Sequence, residues 1–261
     1  MRKVIILLIA FLFPFLRGEC ADVIAILCCD TCAEEIGDAT CEDLKNMRAE
    51  VRRIAMYTES DLKEVVFEGQ DLFPAKVMSL INGLSCHPDD IIIFYFTGHG
   101  YRTSSKEGNP WPNLFFTISK TGVDYDKVGK MLISKKPRLL WTIADCCNNY
   151  AGKKEVPFET KKSLYSKSVK HRVEKNYKKL FLESDGLIMI ASSEAGGYSW
   201  CNSRGALYTC ALLESIQVET HKHKKVSWEA ILERSASSVS EYQKPFVVRN
   251  AARVPESQGL F

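Results

Sequence analysis

The chain has no internal repeat, no strong excess of one charge and no apolar run long enough to cross a bilayer comfortably. Each absence removes a class. Without a repeat, its 261 residues of mixed apolar and charged composition fit one globular domain rather than a fibre or a disordered segment. With a net charge of only +3 and basic residues spread along the chain outside one run, nucleic acid is not an expected partner. No glycine-rich loop follows the first apolar run, so phosphate binding has no support.

What is present begins with Met1-Arg2-Lys3, then the apolar stretch Val4 to Leu16, interrupted by Pro14, then Arg17-Gly18-Glu19. A basic start followed by a short apolar core reads as a cleaved export signal rather than a membrane anchor. The signal is assigned to residues 1–21 and the functional domain to 22–261, with a periplasmic or secreted destination and no permanent membrane span. Gly18, Cys20 and Ala21 are each small enough to precede the cut. Export would place the chain's ten cysteines where disulfides are permitted, with the pairing left open.

Apolar runs then alternate with helical patterns, which predicts an α/β fold with a mostly parallel sheet sandwiched between helices. Strands are predicted at Asp22 to Cys28, Glu64 to Phe67, Ile91 to Phe96, Arg138 to Ala144 and Gly186 to Ala191. Helices are predicted from Thr40, with Asp43 completing a capping box and Leu44, Met47, Val51 and Ile54 on one face, and over Pro74 to Leu84, Asp126 to Leu132, Gly205 to Ile216 and Ser227 to Val239. Residues 101–112 read as a loop, and the basic stretch 151–179 as a long exposed linker.

Two buried strands therefore end in chemistry: Gly98-His99-Gly100 after one, Asp145-Cys146-Cys147 after the other. Parallel sheets open their binding crevice at such carboxyl ends. A thiolate attacks carbonyls, and an imidazole beside it takes and returns the proton. Alone, His99 would read as a turn residue; together with Cys147 it makes a candidate dyad. Cys146 should face the opposite way and pack as a small apolar residue.

The segments Ile91-Ile-Ile-Phe-Tyr-Phe-Thr-Gly-His-Gly100 and Leu139-Leu-Trp-Thr-Ile-Ala-Asp-Cys-Cys147 resemble the two catalytic blocks of caspase and metacaspase peptidases. Ala191-Ser-Ser-Glu-Ala with Gly205-Ala-Leu-Tyr-Thr-Cys-Ala-Leu-Leu-Glu-Ser215 resembles the strand and helix that complete that fold. The resemblance implies a caspase-like fold, catalytic Cys147 and His99, and an oxyanion hole from the amides of Gly100 and Cys147. The metacaspase pattern Asp-x-Cys-His-Ser-Gly selects Cys147 over Cys146. Here Asn148-Asn149-Tyr150 replaces His-Ser-Gly. The matching aspartate lines the pocket for the residue before the cut, so Asp145 implies cleavage after Arg or Lys, and Asp30 at the end of the first strand is the expected second carboxylate. Substrates are proteins or peptides, and the basic linker is a candidate site of self-processing. No organic cofactor is implied, and a calcium requirement of the kind some metacaspases show is not readable in the residues.

Two other readings compete. A caspase-like fold could serve as an inactive interaction module, with Asn148-Asn149 as the relevant departure. Alternatively Cys29-Asp30-Thr31-Cys32 could be the Cys-x-x-Cys of an exported thiol-disulfide oxidoreductase. A zinc site on the same cysteines lacks a second ligand pair at a recognisable spacing.

Overall fold

The computed structural model describes residues 21–150 and 170–250. The stretch expected to be an export signal, apart from Ala21, and residues 151–169 of the expected linker fall outside them. In chain order the elements are β1 (Val23–Cys29), α1 (Gly37–Thr58), β2 (Leu62–Glu68), α2 (Pro74–Gly83), β3 (Ile91–Thr97), β4 (Gly100–Tyr101), β5 (Asn113–Phe116), β6 (Thr121–Asp124), α3 (Tyr125–Ile133), β7 (Leu139–Asp145), α4 (Lys170–Phe181), β8 (Gly186–Ala191), β9 (Cys201–Asn202), β10 (Gly205–Ala206), α5 (Leu207–His221), α6 (Trp228–Val239) and β11 (Phe246–Asn250). The main sheet runs β11-β8-β7-β3-β1-β2. Its strands are parallel except the edge strand β11, which is antiparallel to β8.

β1, β3, β7 and β8 are buried along their whole length, as strands covered on both faces must be. Alternation then sorts their side chains. Val23, Ala25, Leu27, Ile91, Ile93, Tyr95, Leu139, Trp141 and Ile143 pack on one face with α1, α4, α5 and α6. Ile24, Ile26, Cys28, Ile92, Phe94, Phe96, Leu140, Ala144 and Cys146 pack on the other with α2 and α3. On the first face Trp141 lies between Phe181 and Trp228, with ring centroids 5.8 and 5.4 Å away. Burying an aromatic side chain of this kind contributes about 2–3 kcal/mol, which ties α4 and α6 to the centre of the sheet.

Several boundaries differ from the sequence expectation for identifiable reasons. α1 begins at Gly37, not Thr40, because the Thr40 hydroxyl turns back to the carbonyls of Gly37 and Asp30 (2.9 and 3.0 Å) and Asp43 points into the core instead of capping. The last ten residues of the basic stretch, 170–179, are helical: Val173, Tyr177, Leu180 and Phe181 are buried along one side of α4. Tyr177 donates to Glu50 Oε1 at 2.8 Å, and Arg53 pairs with the other oxygen, so α4 is bolted to α1. The small sheet β4-β5-β6 and the edge strand β11 were not foreseen, their segments being too short or too polar to stand out. Residues 102–112 are held by two buried cations. Arg102 donates to the carbonyl of Lys106 at 2.6 Å, and Lys106 donates to the carbonyls of Trp111 and Pro112 (2.8 and 3.1 Å) and to Asp124.

Candidate active site

β3 and β7 are neighbours in register, with Thr97 opposite Asp145. His99 and Cys147 each lie two residues further on, at equivalent positions beyond the carboxyl ends of the two strands. The chain reverses into β4 at Gly100, and there the two blocks meet. A Cβ on Gly100 would overlap the carbonyl oxygen of Cys147 and lie 2.5 Å from Cys146 Sγ. Only glycine permits that approach. The Phe115 N–H donates to the His99 carbonyl at 3.0 Å, flanking the Gly100–Leu114 pair, so the Gly100 amide points away from β5. Gly100→Ala should therefore displace the cysteine turn, and kcat should fall about 10²-fold or more with much of the thermal stability retained.

Cys146 is buried in the second core, and burial pushes its thiol well above the ordinary range, so it supplies no thiolate. Cys147 is partly exposed. Burial pushes its thiol up as well, the Ser199 N–H pulls it back, and the charge of Asp145 adds to the rise. The Sγ–H donates to the Ser199 carbonyl at 3.6 Å, and the Ser199 N–H donates to Sγ at 3.5 Å. No hydrogen bond joins Cys147 to His99 among those of the described residues; such pairs often tighten only on substrate binding.

Asp145 is buried at the end of β7. Its Oδ2 accepts from Thr209 N–H and Oγ1–H (2.9 and 2.7 Å) in the first turn of α5, and its Oδ1 accepts from Ser199 Oγ at 2.6 Å. A second carboxylate shares this patch: Asp43 of α1 accepts from Thr97 Oγ1 at 2.7 Å and Ala206 N–H at 2.9 Å. The Tyr95 hydroxyl lies 2.8 Å from Thr209 Oγ1, which itself donates to Asp145. Burial, and then the charge of Asp145, push the Asp43 carboxyl up to about 8. Neither acid has a salt-bridge partner among the described residues.

Asp30 is elsewhere. By alternation it continues the Cys28 side of β1, the face opposite Asp145, where its Oδ2 accepts from Thr117 N–H and Oγ1–H (3.1 and 2.6 Å). Asp43 was missed because it fitted a capping pattern. The available signal was an acid on the apolar stripe of α1 that carries Leu44 and Met47. Ser199 had no signal at all, since a serine in a polar turn is ordinary.

The caspase domain of peptidase family C14 matches residues 24–258. This chain belongs to that caspase-domain family. Among solved structures, the crystal structure of caspase-1 from Spodoptera frugiperda shares the fold: the TM-score is 0.58 at 13% identity, covering 88% of this chain and 87% of that one. No curated protein matches. The family consists of cysteine-type peptidases acting on proteins, and its chemistry needs no cofactor.

Within the caspase-domain frame, the replacement of His-Ser-Gly by Asn148-Asn149-Tyr150 is structural in character. Asn148 is fully buried: its Nδ2 donates to the carbonyls of Pro110 (2.7 Å) and Ser193 (3.3 Å), and its Oδ1 accepts from Arg102 at 3.2 Å. It fixes the loops behind the cysteine. The Cys29-x-x-Cys32 pair fits redox chemistry poorly. Cys29 is fully buried, and burial drives its thiol well above the ordinary range, whereas an attacking thiol needs access and thiolate character. No three or more His, Cys, Asp or Glu side chains among the described residues are grouped to hold a metal ion. No helix among them is long and apolar enough to cross a membrane.

Proposed function

We propose that this caspase-domain protein is an exported endopeptidase that cleaves after Arg or Lys, with Cys147 as nucleophile and His99 as general acid and base. The observation that carries the specificity is the pair of buried carboxylates without a cation of their own: Asp145, which acts on the Cys147 thiol, and Asp43, which acts on Asp145. Two acids forced together in a dry site repel, and a proton on one relieves the repulsion. A guanidinium or ammonium relieves it better, and an aspartate side chain would worsen it.

In the mechanism this supports, Cys147 passes its proton to His99 and the thiolate attacks the carbonyl carbon. The amides of Gly100 and Cys147 hold the oxyanion. His99 then protonates the departing amine, leaving a thioester, and a water activated by His99 hydrolyses it.

The test is hydrolysis of fluorogenic peptides ending in Arg, Lys or Asp by residues 22–261, reduced, with and without calcium, alongside Cys147→Ala and His99→Ala. Arg or Lys turnover lost in both variants supports the assignment. Equal turnover of Arg and Asp peptides would remove the acidic-pocket reading, and an inert wild type of normal stability would make the protein a binding module.

Self-processing within the basic linker belongs to the same proposal. Residues 151–169 lie outside the described structure, but the elements on either side are joined through β7–β8 pairing and the Tyr177–Glu50 bond. Intact mass after incubation should show linker cleavage in wild type and none in Cys147→Ala. The two pieces should co-elute on native size exclusion and separate only in denaturant.

A further inference from the structure

Among the described residues, Ser199 alone hydrogen-bonds both Cys147, the proposed nucleophile, and Asp145, the proposed specificity carboxylate. Its backbone holds the thiol from both sides, accepting the Sγ–H at the carbonyl (3.6 Å) and donating its N–H to Sγ (3.5 Å). Its hydroxyl donates to Asp145 Oδ1 at 2.6 Å and accepts from Ser192 Oγ at 2.9 Å and Gln243 Nε2 at 3.3 Å. Gln243 in turn accepts the Trp200 N–H at 3.0 Å. The resting thiol is thus engaged by Ser199 and not by His99.

We propose that Ser199 is a positioning residue that couples pocket occupancy to nucleophile activation: a cation on Asp145 displaces the Ser199 hydroxyl, and the backbone of Ser199 then releases the Cys147 thiol to His99. This rests on the acidic-pocket reading and extends it. The neutral Ser199 hydroxyl meets the carboxylate with one hydrogen bond, whereas a guanidinium brings a full opposite charge and can bind bidentately, so the exchange runs in the direction of the cation. The turn is anchored on either side of Ser199, by the Gly196 N–H to the Asn148 carbonyl (2.8 Å) and the Trp200 N–H to Gln243 Oε1 (3.0 Å), so the exchange need shift only residues 198 and 199. Once released, the S–H bond breaks, the proton passes to the imidazole of His99, and a thiolate–imidazolium pair forms with no other reactant. A substrate with the right side chain therefore activates the enzyme that cuts it, and selectivity falls on kcat as well as KM.

The experiment is alkylation of Cys147 by iodoacetamide at pH 7.5, followed by peptide mass, with and without saturating agmatine as a guanidinium probe that has no scissile bond. In wild type agmatine should speed alkylation of Cys147 about 10-fold, equivalent to lowering the thiol pKa by about one unit. Ser199→Ala should start near the accelerated rate and gain nothing from agmatine, and Ser199→Thr should restore the response. A purely structural role would not make a ligand accelerate a thiol. If agmatine raises Tm in wild type and not in Asp145→Asn, yet alkylation is unchanged or slowed, the coupling is wrong and the acidic pocket stands. If agmatine leaves Tm unchanged in wild type, the pocket reading fails and the coupling with it. Should Ser199→Ala not fold, the wild-type response to agmatine decides alone.

Discussion

Cys147→Ala is expected to lower kcat/KM toward Arg and Lys peptides by about 10⁴-fold or more, as loss of a covalent nucleophile does in other hydrolases. Cys146→Ala, one residue away, should keep most of the activity. The contrast follows from where the strand ends. Cys146 continues the Leu140 and Ala144 side of β7 and is packed against the Gly100 backbone in the second core. Its loss removes one small buried group, costing about 1 kcal/mol of stability. Cys147 lies beyond Asp145 on the other side of the alternation, partly exposed and adjacent to the His99–Gly100 turn. His99→Ala should resemble Cys147→Ala in kcat while leaving Tm nearly unchanged, because that side chain is not part of either core. Comparable losses in the Cys146 and Cys147 variants, by single-turnover assay, would mean that the nucleophile has been misassigned.

The second large effect is expected at Asp43. Its carboxyl titrates at about 8 in the folded protein, first because it is buried and second because Asp145 is close. In the unfolded chain an aspartate titrates near 3.9. The folded state therefore binds this proton more tightly. That stability is complete below about pH 4 and is lost progressively as pH rises to about 8. Asp43→Asn removes the titration. Its Oδ1 still accepts from Ala206 N–H, and its amide faces the Thr97 hydroxyl, so both hydrogen-bond positions remain usable. Wild-type Tm should fall more steeply than that of the variant between pH 5 and pH 8. At pH 8 the variant should be the more stable by a few kcal/mol, about 5–10 °C for a chain of this size. Cleavage after Arg should move the opposite way and drop about 10²-fold, the usual loss when one member of a buried charge pairing is removed. A stabilised enzyme with unchanged Arg preference would show that Asp43 only caps α5. In wild type, KM for Arg peptides should fall as pH rises toward 8, since the incoming cation must expel the Asp43 proton.

Much of this was legible in the sequence. The uniformly apolar runs at Ile91 and Leu139 can only be strands covered on both faces, and two such parallel neighbours place His99 and Cys147 together. Alternation set Cys146 and Cys147 on opposite faces, and the metacaspase resemblance pointed to Cys147 as the nucleophile. Local rules failed where a residue answers to distant partners. Asp43 satisfied a helix-start pattern that the Thr40 hydroxyl and a core 163 residues away, at Ala206, overrode. α4 was hidden because lysines crowd its exposed side, and its stripe of Val173, Tyr177, Leu180 and Phe181 becomes visible only against Trp141 and Glu50.

What the sequence determined by itself was the alternation of strands and helices, the burial of the central strands and the placing of His99 and Cys147 beyond equivalent strand ends, because these depend on periodicity and residue chemistry within short windows. Tertiary structure alone decided which carboxylates lie together and what holds the thiol. Asp43, Asp145 and Ser199 come from α1, β7 and the turn before β9. Whether acids on separate elements meet in one dry site, and so repel, is set by which face of the sheet each lies on. The same sheet sends Asp30 to one face and Asp145 to the other.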